Sequence, residues 1–334
     1  MFSDHDYVTL CLEFDQAQVR GPGLWKFNAS LLQDNEFCAI IEDRISYLSS
    51  CIDYFPSVKS WWDFFKTSLK SEIVFFSRIR RRCLSRERVF LVNRLVSLKR
   101  RLTSGDCTVA TEISRLESEL KALISRELEG SKVRSRVRWL EDGERPTRYF
   151  FKLEHERVAR NSVTSILDSN DVEVFSREEI ERAHVRFYSD LFSKDPIDAV
   201  CKQICLSSID KFLSPPQRDT CEGLLSLPEL TDSLRSLNLG RSPGSDGLTT
   251  EFYLHFWNSL GPLLLRVAEQ CFLDGELAES MKESITRLIF KKRGDAKHLK
   301  NWRPISLLNV DYKIISKAIT IRLSQVIELI VHSD

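Results

Sequence analysis

Residues 288–308 of this chain run LIFKKRGDAKHLKNWRPISLL. Two apolar runs flank a segment that is dense in lysine and arginine and that contains the turn-forming pair Gly294 and Asp295. Short apolar runs on either side of such a turn signal are typical of a β-hairpin. The pattern predicts strands at 285–291 and 304–307, joined by a cationic loop. That loop either is simply solvated or faces a ligand that carries phosphate groups.

The bulk composition limits what the rest of the chain can be. The 334 residues are 42% hydrophobic and 29% charged, with a formal net charge of +1. This length suggests two domains, or one domain with a long helical arm. Because the charges nearly balance, any nucleic-acid or membrane signal has to be local. Nine cysteines without a C-x-x-C pair, no signal peptide in MFSDHDYVTL and no long apolar run together predict an intracellular protein without a membrane span.

The segment from about 37 to 157 has a helical pattern. Leucines and isoleucines recur at spacings of three and four residues in two stripes, which the sequence TSGD at 103–106 separates. Two such stripes around a short break predict an αα-hairpin with coiled-coil-like packing. The stripes are formed by Leu91, Leu95, Leu98 and Leu102, and by Ile113, Leu116, Leu120 and Leu123.

One part of this helical segment is strongly basic. Residues 77–101 contain ten lysines and arginines against one glutamate, with phenylalanines interleaved, and a second basic run follows at 131–140. Such a run either is a solvated helix face or contacts a phosphate backbone. The candidate residues for that contact are Arg80, Arg81, Arg82, Arg100, Arg101, Arg136 and Arg138.

The second half of the chain alternates short strands and helices. Alternating runs at 162–167 and 171–175 predict a β-hairpin, and residues 194–226 predict a loose connector with one short helix. Two capping boxes mark helix starts, the first at Ser176 with Glu179 and the second at Ser226 with Glu229. A helical period over about 310–331 predicts a final helix. The fold class that follows is mostly α with small α+β parts.

Two stretches of the sequence carry a family resemblance. RSPGSDGLTTEFYLHFW at 241–257 and ITRLIFKKRGDAKHLKNWRPISLLNVDYKIISKAITIRL at 285–323 resemble the amino-terminal fingers of LINE-type, non-LTR retrotransposon reverse transcriptases. VRWLEDGERPTRYFFKLEHER at 137–157 is similar to the segment before that polymerase, and SDHDYVTLCLEFD at 3–15 resembles the last strand of the endonuclease/exonuclease/phosphatase-type domain of the same polyproteins.

The resemblance implies a division of the chain into four parts. Residues 1–36 would be the end of the endonuclease domain, and 37–157 a basic helical linker. Residues 158–240 would be an extension that precedes the polymerase, with a β-hairpin and helices. Residues 241–334 would be an incomplete fingers subdomain, because the palm and its metal-binding aspartates are not in this chain.

The resemblance also implies roles for particular residues. The cationic loop and the strand that follows it would contact nucleotide phosphates or the template, through Lys291, Lys292, Arg293 and Arg303. For Arg303 the alternative is an ion pair with a carboxylate such as Asp311. Asp246 would either cap the helix that starts near Leu248 or face the template.

The remaining implications concern the nuclease, the cofactor and the partners. His5 would be the general base and Asp4 its orienting or metal-binding partner, but both are remnants here because the rest of that active site is missing. Mg²⁺ is expected for full-length members of the family and no cofactor or metal for this fragment. The partners would be RNA, DNA and dNTPs, without a membrane, in the cytoplasm and nucleus.

Three hypotheses about function follow. The first is a fragment of an RNA-directed DNA polymerase that contacts nucleic acid and nucleotide phosphates but is inactive alone. The second is a non-catalytic helical protein, derived from a retroelement, that binds nucleic acid or another partner. The third is a decayed reading frame whose product does not fold stably.

Overall fold

A computed structural model describes residues 23–135, 165–193 and 197–331, without the side chains of 126–135. The described part is mostly helical, as the sequence predicts, and it contains two small antiparallel sheets. The first three helices are α1 (Asn35–Ser50), α2 (Val58–Thr103) and α3 (Ala110–Ser135). The later helices are α4 (Arg177–Leu191), α5 (Ala199–Ser207), α6 (Pro215–Cys221), α7 (Leu227–Arg235), α8 (Thr250–His255), α9 (Trp257–Asp274), α10 (Glu279–Lys282), α11 (Val310–Ser324) and α12 (Ile327–Ile330). The strands are β1 (Ile166–Leu167), β2 (Glu173–Val174), β3 (Ser284–Phe290) and β4 (Trp302–Leu308).

The helical pattern that begins near residue 37 is interrupted where the sequence analysis predicted continuity. The chain leaves the α-helix between α1 and α2, at a segment that contains Pro56. Proline has no amide hydrogen to donate, and its ring excludes the preceding residue from helical geometry, so a helix ends before it. Ser57 then starts α2 by accepting a hydrogen bond from the backbone amide of Ser60 at 3.1 Å.

The distal part of α2 and helix α3 form the predicted αα-hairpin, here called the arm. A buried seam joins the two helices and consists of Leu91, Leu95, Leu98, Val109, Ile113, Leu116 and Leu123. Two ion pairs cross beside this seam, Arg94 to Glu112 at 3.0 Å and Lys99 to Glu117 at 2.6 Å. The two helices of the arm therefore pack as in a coiled coil, with an apolar stripe flanked by complementary charges.

A second, larger core is formed by helices from both halves of the chain, here together called the body. Helix α1, the proximal part of α2 and helices α7 to α9 and α11 all contribute buried apolar side chains to it. Trp61 and Trp62 from α2 are fully buried there, and the indole of Trp61 donates to the carbonyl of Leu48 at 2.9 Å. Residues far apart in sequence thus share one interior.

The predicted β-hairpins both form. Strands β3 and β4 pair in an antiparallel register that places Arg287 opposite Ile305 and Ile289 opposite Arg303. The smaller pair, β1 and β2, lies against the loop of this hairpin, because the amide of Leu167 donates to the carbonyl of Lys297 at 2.9 Å. The predicted residues 162–164 of the first strand lie outside the described residues.

Two details of the last third differ from the sequence predictions. The predicted helix 310–331 is divided into α11 and the short α12, and the connector 197–226 contains two helices, α5 and α6, rather than one. Arg322 of α11 fixes the connector by donating to the Glu229 carboxylate and to the carbonyl oxygens of Glu222, Gly223 and Leu224. The hydrogen bond from Arg322, together with those from the hydroxyl and the amide of Ser226, lowers the pKa of Glu229 to about 2.

The predicted helix starts are confirmed, and Ser226 and Glu229 form a reciprocal capping box. None of the helices in the described ranges combines the length and the apolar composition that crossing a bilayer requires. The domain limits taken from the resemblance remain predictions.

Candidate nucleic-acid interface

The β3–β4 hairpin is anchored at its base by the loop SPGSDG at 242–247. Asn309, which follows β4, is fully buried and donates to the carbonyl of Ser280 at 2.7 Å, while its side-chain oxygen accepts from the amide of Asp246 at 3.2 Å. Gly244 lies so close to Asn309 that a β-carbon would collide with it. The loop therefore needs glycine at this position in order to pack against the end of the hairpin.

A buried charge cluster lies behind this loop. Lys66 of α2 is 3% exposed, and its ammonium is 2.6 Å from the Oδ2 atom of Asp311, which is 0% exposed. The indole of Trp62 donates to the same oxygen at 2.8 Å. The second carboxylate, Asp246, is 3.5 Å from Lys66. One ammonium is thus shared by two carboxylates, and the cluster connects α2 with the SPGSDG loop and with the start of α11.

The electrostatics of this cluster follow from its burial. Burial raises the pKa of Asp246, and the negative charge of Asp311 raises it further, to about 6. Burial lowers the pKa of Lys66, but the charges of Asp311 and Asp246 outweigh this effect and raise it overall. The lysine is therefore held in its charged form, whereas Asp246 can take up a proton in mildly acidic solution.

Asp246 closes the turn before helix α8. Its Oδ1 atom accepts from the amide of Leu248 at 2.9 Å, whereas the helix itself begins after Thr249. The residue is therefore not the N-cap that the sequence analysis considered, although it stabilises the approach to the helix. A template-facing role would require this carboxylate to leave its buried position beside Lys66.

Arg303 does not pair with Asp311. That carboxylate is fully buried and occupied by Lys66 and Trp62, so the alternative proposed from the sequence is wrong. Arg303 is exposed on β4 and makes no ion pair with any residue that the structure describes.

An exposed face of the hairpin combines arginine with isoleucine. Cross-strand partners point to the same side of a sheet, so Arg287, Ile289, Arg303 and Ile305 share one face. The isoleucines are 48% and 42% exposed, and both arginines are exposed. Arg287 was not among the predicted residues. The sequence could have indicated it, because alternate side chains of a strand point to the same side. Arg287 is two positions from Ile289 and therefore lies on the same face.

The cations of the hairpin loop have different environments. The ammonium of Lys291 donates to the carbonyl of Lys300 at 2.7 Å, and Lys297 forms an ion pair with Glu173 at 2.8 Å. Lys292, which has a positive φ of 57°, and Arg293 are exposed and have no ion pair within the described part of the chain. Trp302 packs on Phe290 with ring centroids 5.3 Å apart and donates to the carbonyl of Ala296 at 2.7 Å, so it closes the loop.

The predicted arginines of the arm divide into two groups. Arg80 lies 3.3 Å from Asp34 and Arg101 lies 2.6 Å from Asp106, so both are in ion pairs. Three others are exposed without an ion pair to a described residue, namely Arg81, Arg82 and Arg100. The predicted residues Asp4, His5, Arg136 and Arg138 lie outside the described ranges.

Comparison with known proteins relates the chain to a protein encoded by a transposable element. That relative is the Transposon TX1 uncharacterized 149 kDa protein of Xenopus laevis, which is 33% identical over the whole length of the chain. The chain spans about a quarter of the length of this relative. No protein-family model matches the sequence.

Proposed function

We propose that this chain comprises the fingers region and the preceding helical arm of a non-LTR retrotransposon reverse transcriptase. The parent enzyme would be an RNA-directed DNA polymerase with an endonuclease, working in cytoplasm and nucleus. The homology to a transposon protein supports a mobile-element origin. The motif order from SPGSDG to NWRPISLLN supports the polymerase assignment.

The exposed hairpin face is the observation that carries this proposal. Arg287 and Arg303 lie on one side of the sheet, without ion pairs to described residues, and each guanidinium can donate two hydrogen bonds to a phosphate. The isoleucines between them offer apolar contact to sugars or bases. Lys292 and Arg293 extend the positive surface to the tip of the hairpin. The ligand that fits is a template–primer duplex or the triphosphate of a dNTP.

The described carboxylates do not suit the Mg²⁺ ions that polymerases of this kind use. Two-metal phosphoryl transfer needs closely placed carboxylates that are free to bridge the ions. Asp246 and Asp311 are the buried carboxylates nearest the hairpin, and they hold the ammonium of Lys66 instead. Among the described residues, no group of three or more His, Cys, Asp or Glu side chains could hold a metal. We therefore propose that the chain binds nucleic acid and does not polymerise by itself.

Binding of a fluorescent RNA/DNA hybrid, measured by anisotropy over a series of salt concentrations, tests this function. The double variant Arg287→Ala/Arg303→Ala should weaken binding about tenfold and reduce the slope of log K against log salt by about 2, because two phosphate contacts are lost. Arg177→Ala is the matched control, since it removes an exposed cation on α4 that pairs with Glu181 rather than with a ligand.

Two results would contradict the proposal. Unchanged affinity of the double variant would show that the hairpin face does not bind the duplex, and incorporation of dNTPs by the isolated chain would show that it is active alone. Both measurements need the folded protein, which the far-ultraviolet circular dichroism of each variant verifies.

The second candidate function is non-catalytic binding of nucleic acid through the arm. The observation that favours it is the set of exposed arginines without ion pairs to described residues, Arg81, Arg82 and Arg100. Replacing these three by serine should then abolish the affinity that the hairpin double variant keeps.

A further inference from the structure

Helix α2 has a second stripe on the side of the arm away from α3, here called the outer stripe. Its members follow spacings of four and three residues: Phe75, Ile79, Arg82, Arg86, Val89, Asn93, Val96 and Arg100. Val89, Asn93 and Val96 each lie two positions before a residue of the buried seam, namely Leu91, Leu95 and Leu98, and two positions correspond to a separation of about 160° around a helix with 3.6 residues per turn. The outer stripe is therefore nearly opposite the seam.

The apolar members of the outer stripe are exposed to an unusual degree. Phe75 is 59% exposed, Ile79 43%, Val89 57% and Val96 36%, and the neighbouring Phe90 is 66% exposed. The stripe runs from Phe75 to Arg100, 25 helical rises or about 38 Å along the axis. Its exposed apolar residues form two groups, Phe75 with Ile79 and Val89 with Val96, and Arg82 and Arg86 lie between them. Exposed apolar side chains grouped in this way indicate an interaction site.

The charges of the outer stripe are all of one sign. Arg82, Arg86 and Arg100 are exposed and have no ion pair with described residues. On the inner side of the same helix, by contrast, Arg94 and Lys99 are paired with glutamates of α3. Helix α2 thus already binds one helix through apolar contacts flanked by basic-to-acidic pairs. Its outer side also presents apolar and basic residues, but there the arginines alternate with the apolar residues in one row and have no acidic partner among the described residues.

We propose that the outer stripe binds an acidic, amphipathic α-helix of a partner protein, so that α2 lies between this helix and α3. The spacings of four and three residues repeat every seven positions, which is the repeat by which helices pack on one another, with Phe75, Ile79, Val89 and Val96 at its apolar positions. Asn93, in the middle of the stripe, is the kind of polar residue that fixes the register of such a pair.

Charge and spacing favour this occupant over two others. A second copy of the same face would bring arginine against arginine, which disfavours a symmetric pair. A nucleic-acid backbone would satisfy the arginines, but it gives no reason for apolar residues at Phe75, Ile79, Val89 and Val96 in the same row. The partner helix should carry leucine-like residues on one face, with Asp or Glu beside them.

A synthetic peptide of four heptads, with leucine at the a and d positions and glutamate at e and g, serves as the probe. The full chain should bind it, as measured by fluorescence anisotropy, and should not bind the same peptide with lysine in place of glutamate. Charge reversal by Arg82→Glu/Arg86→Glu should weaken binding by at least about tenfold, because like charges then face each other. Val89→Ser/Val96→Ser should weaken it as well, since it removes the apolar contact.

Arg115→Glu is the matched control, because Arg115 is an exposed cation of α3 on the same arm. It should leave affinity for the peptide within about twofold. The proposal would be overturned if Arg115→Glu weakened peptide binding as much as Arg82→Glu/Arg86→Glu does. It would also be overturned if the unmodified chain did not bind the peptide.

Two further measurements distinguish the other occupants. If the reversal variant loses binding of a 20-nucleotide oligo(U) RNA but not of the peptide, the stripe binds nucleic acid and the proposal is wrong. If sedimentation shows a dimer that the same variant dissociates, the stripe binds a second copy, which also overturns it. Duplex binding through Arg287 and Arg303 should be unaffected by Arg82→Glu/Arg86→Glu, so the two proposals can fail separately.

Discussion

The two ends of helix α2 have opposite environments although they belong to one continuous helix. The proximal end buries Trp61, Trp62, Phe65, Leu69 and Ile73 in the body, against partners that follow 150 or more positions later as well as against the neighbouring α1. The distal end buries only one leucine stripe, against α3, which follows it directly in the sequence.

Lysine and arginine show this difference most clearly. At the proximal end, Lys66 is fully surrounded and neutralised by Asp311 and Asp246. At the distal end most cations are exposed, and those with partners, such as Arg94, are in surface pairs. The local sequence therefore determines that residues 58–103 form a helix, whereas the elements that pack on each part of the helix determine which of its side chains are buried.

Four predictions test this contrast between the two ends of α2.

The largest expected effect is at the proximal end. Asp311→Ala should lower the free energy of unfolding by about 4 kcal/mol, because it leaves the ammonium of Lys66 buried beside a carboxylate 3.5 Å away and the indole of Trp62 without its acceptor. Urea denaturation followed by tryptophan fluorescence measures this. The control is Lys66→Met/Asp246→Asn/Asp311→Leu, which should lose less than the single variant because it removes all three charges of the cluster. A larger loss in the triple variant would contradict the role assigned to the charge cluster.

The next effect belongs to the distal end. Leu98→Ala should cost about 3–4 kcal/mol of local stability, because it leaves a cavity in the seam of the arm. Hydrogen exchange should accelerate over 88–125 and stay unchanged in the body, because the seam of the arm and the core of the body are separate clusters of buried side chains among the described residues. Leu102→Ala, at a residue that is 38% exposed, is the matched control and should cost less than half as much. Equal acceleration in both cores would show that they unfold together.

The third prediction concerns pH and again distinguishes the two ends. Asp246 has a folded pKa of about 6 against an ordinary value of 3.8, so the folded state binds more protons than the unfolded state between those values. Stability therefore decreases as pH rises from about 4 to about 6, by about 2–3 kcal/mol. Asp246→Asn should remove this dependence on pH. The free energy of unfolding of the variant minus that of the wild type should therefore increase from pH 4 to pH 6 and stay constant above pH 6.

Urea denaturation at pH 4.5 and pH 7.5 measures this change in the body. Asp43→Asn, at an exposed carboxylate of α1, is the control and should shift both midpoints alike. A constant difference between the Asp246 variant and wild type at both pH values would refute the raised pKa.

The smallest effect is expected at the surface of the arm. Arg94→Ala removes a half-exposed ion pair with Glu112 and should cost about 0.5 kcal/mol at low salt. Thermal melts at 50 and 500 mM salt should show the difference shrinking, since salt screens exposed pairs. Arg86→Ala, at a cation without an ion pair to described residues, should change neither melt. A decrease in the free energy of unfolding above about 2 kcal/mol would contradict the interpretation of this contact as a surface ion pair, because losses of that size are typical of buried pairs.

The sequence alone could predict the elements that local pattern specifies. The leucine stripes predicted the arm, and the capping boxes at Ser176 and Ser226 predicted two helix starts. The apolar runs on either side of the basic loop in 288–308 predicted the larger hairpin. Pro56 also indicated the break before α2, but the helical pattern of apolar residues on both sides of it led to the prediction of one continuous helical segment. Each of these features depends on residues within a few positions of one another.

The contacts behind the candidate site could not be predicted in this way. Lys66 and Asp311 lie 245 positions apart, and nothing in either local sequence indicates that they meet. Arg303 was considered as a partner of Asp311 because both lie in one segment, yet the carboxylate faces inward at the start of α11 while the arginine lies on an exposed strand. Which side chain faces the core is decided by tertiary packing.

The continuity of α2 sets a distance within the molecule. Its 46 residues make an uninterrupted rod about 69 Å long, with one end set in the interior that supports the β3–β4 hairpin and the other at the tip of the arm. The length of α2 therefore sets how far a molecule bound at that tip lies from the body of the protein.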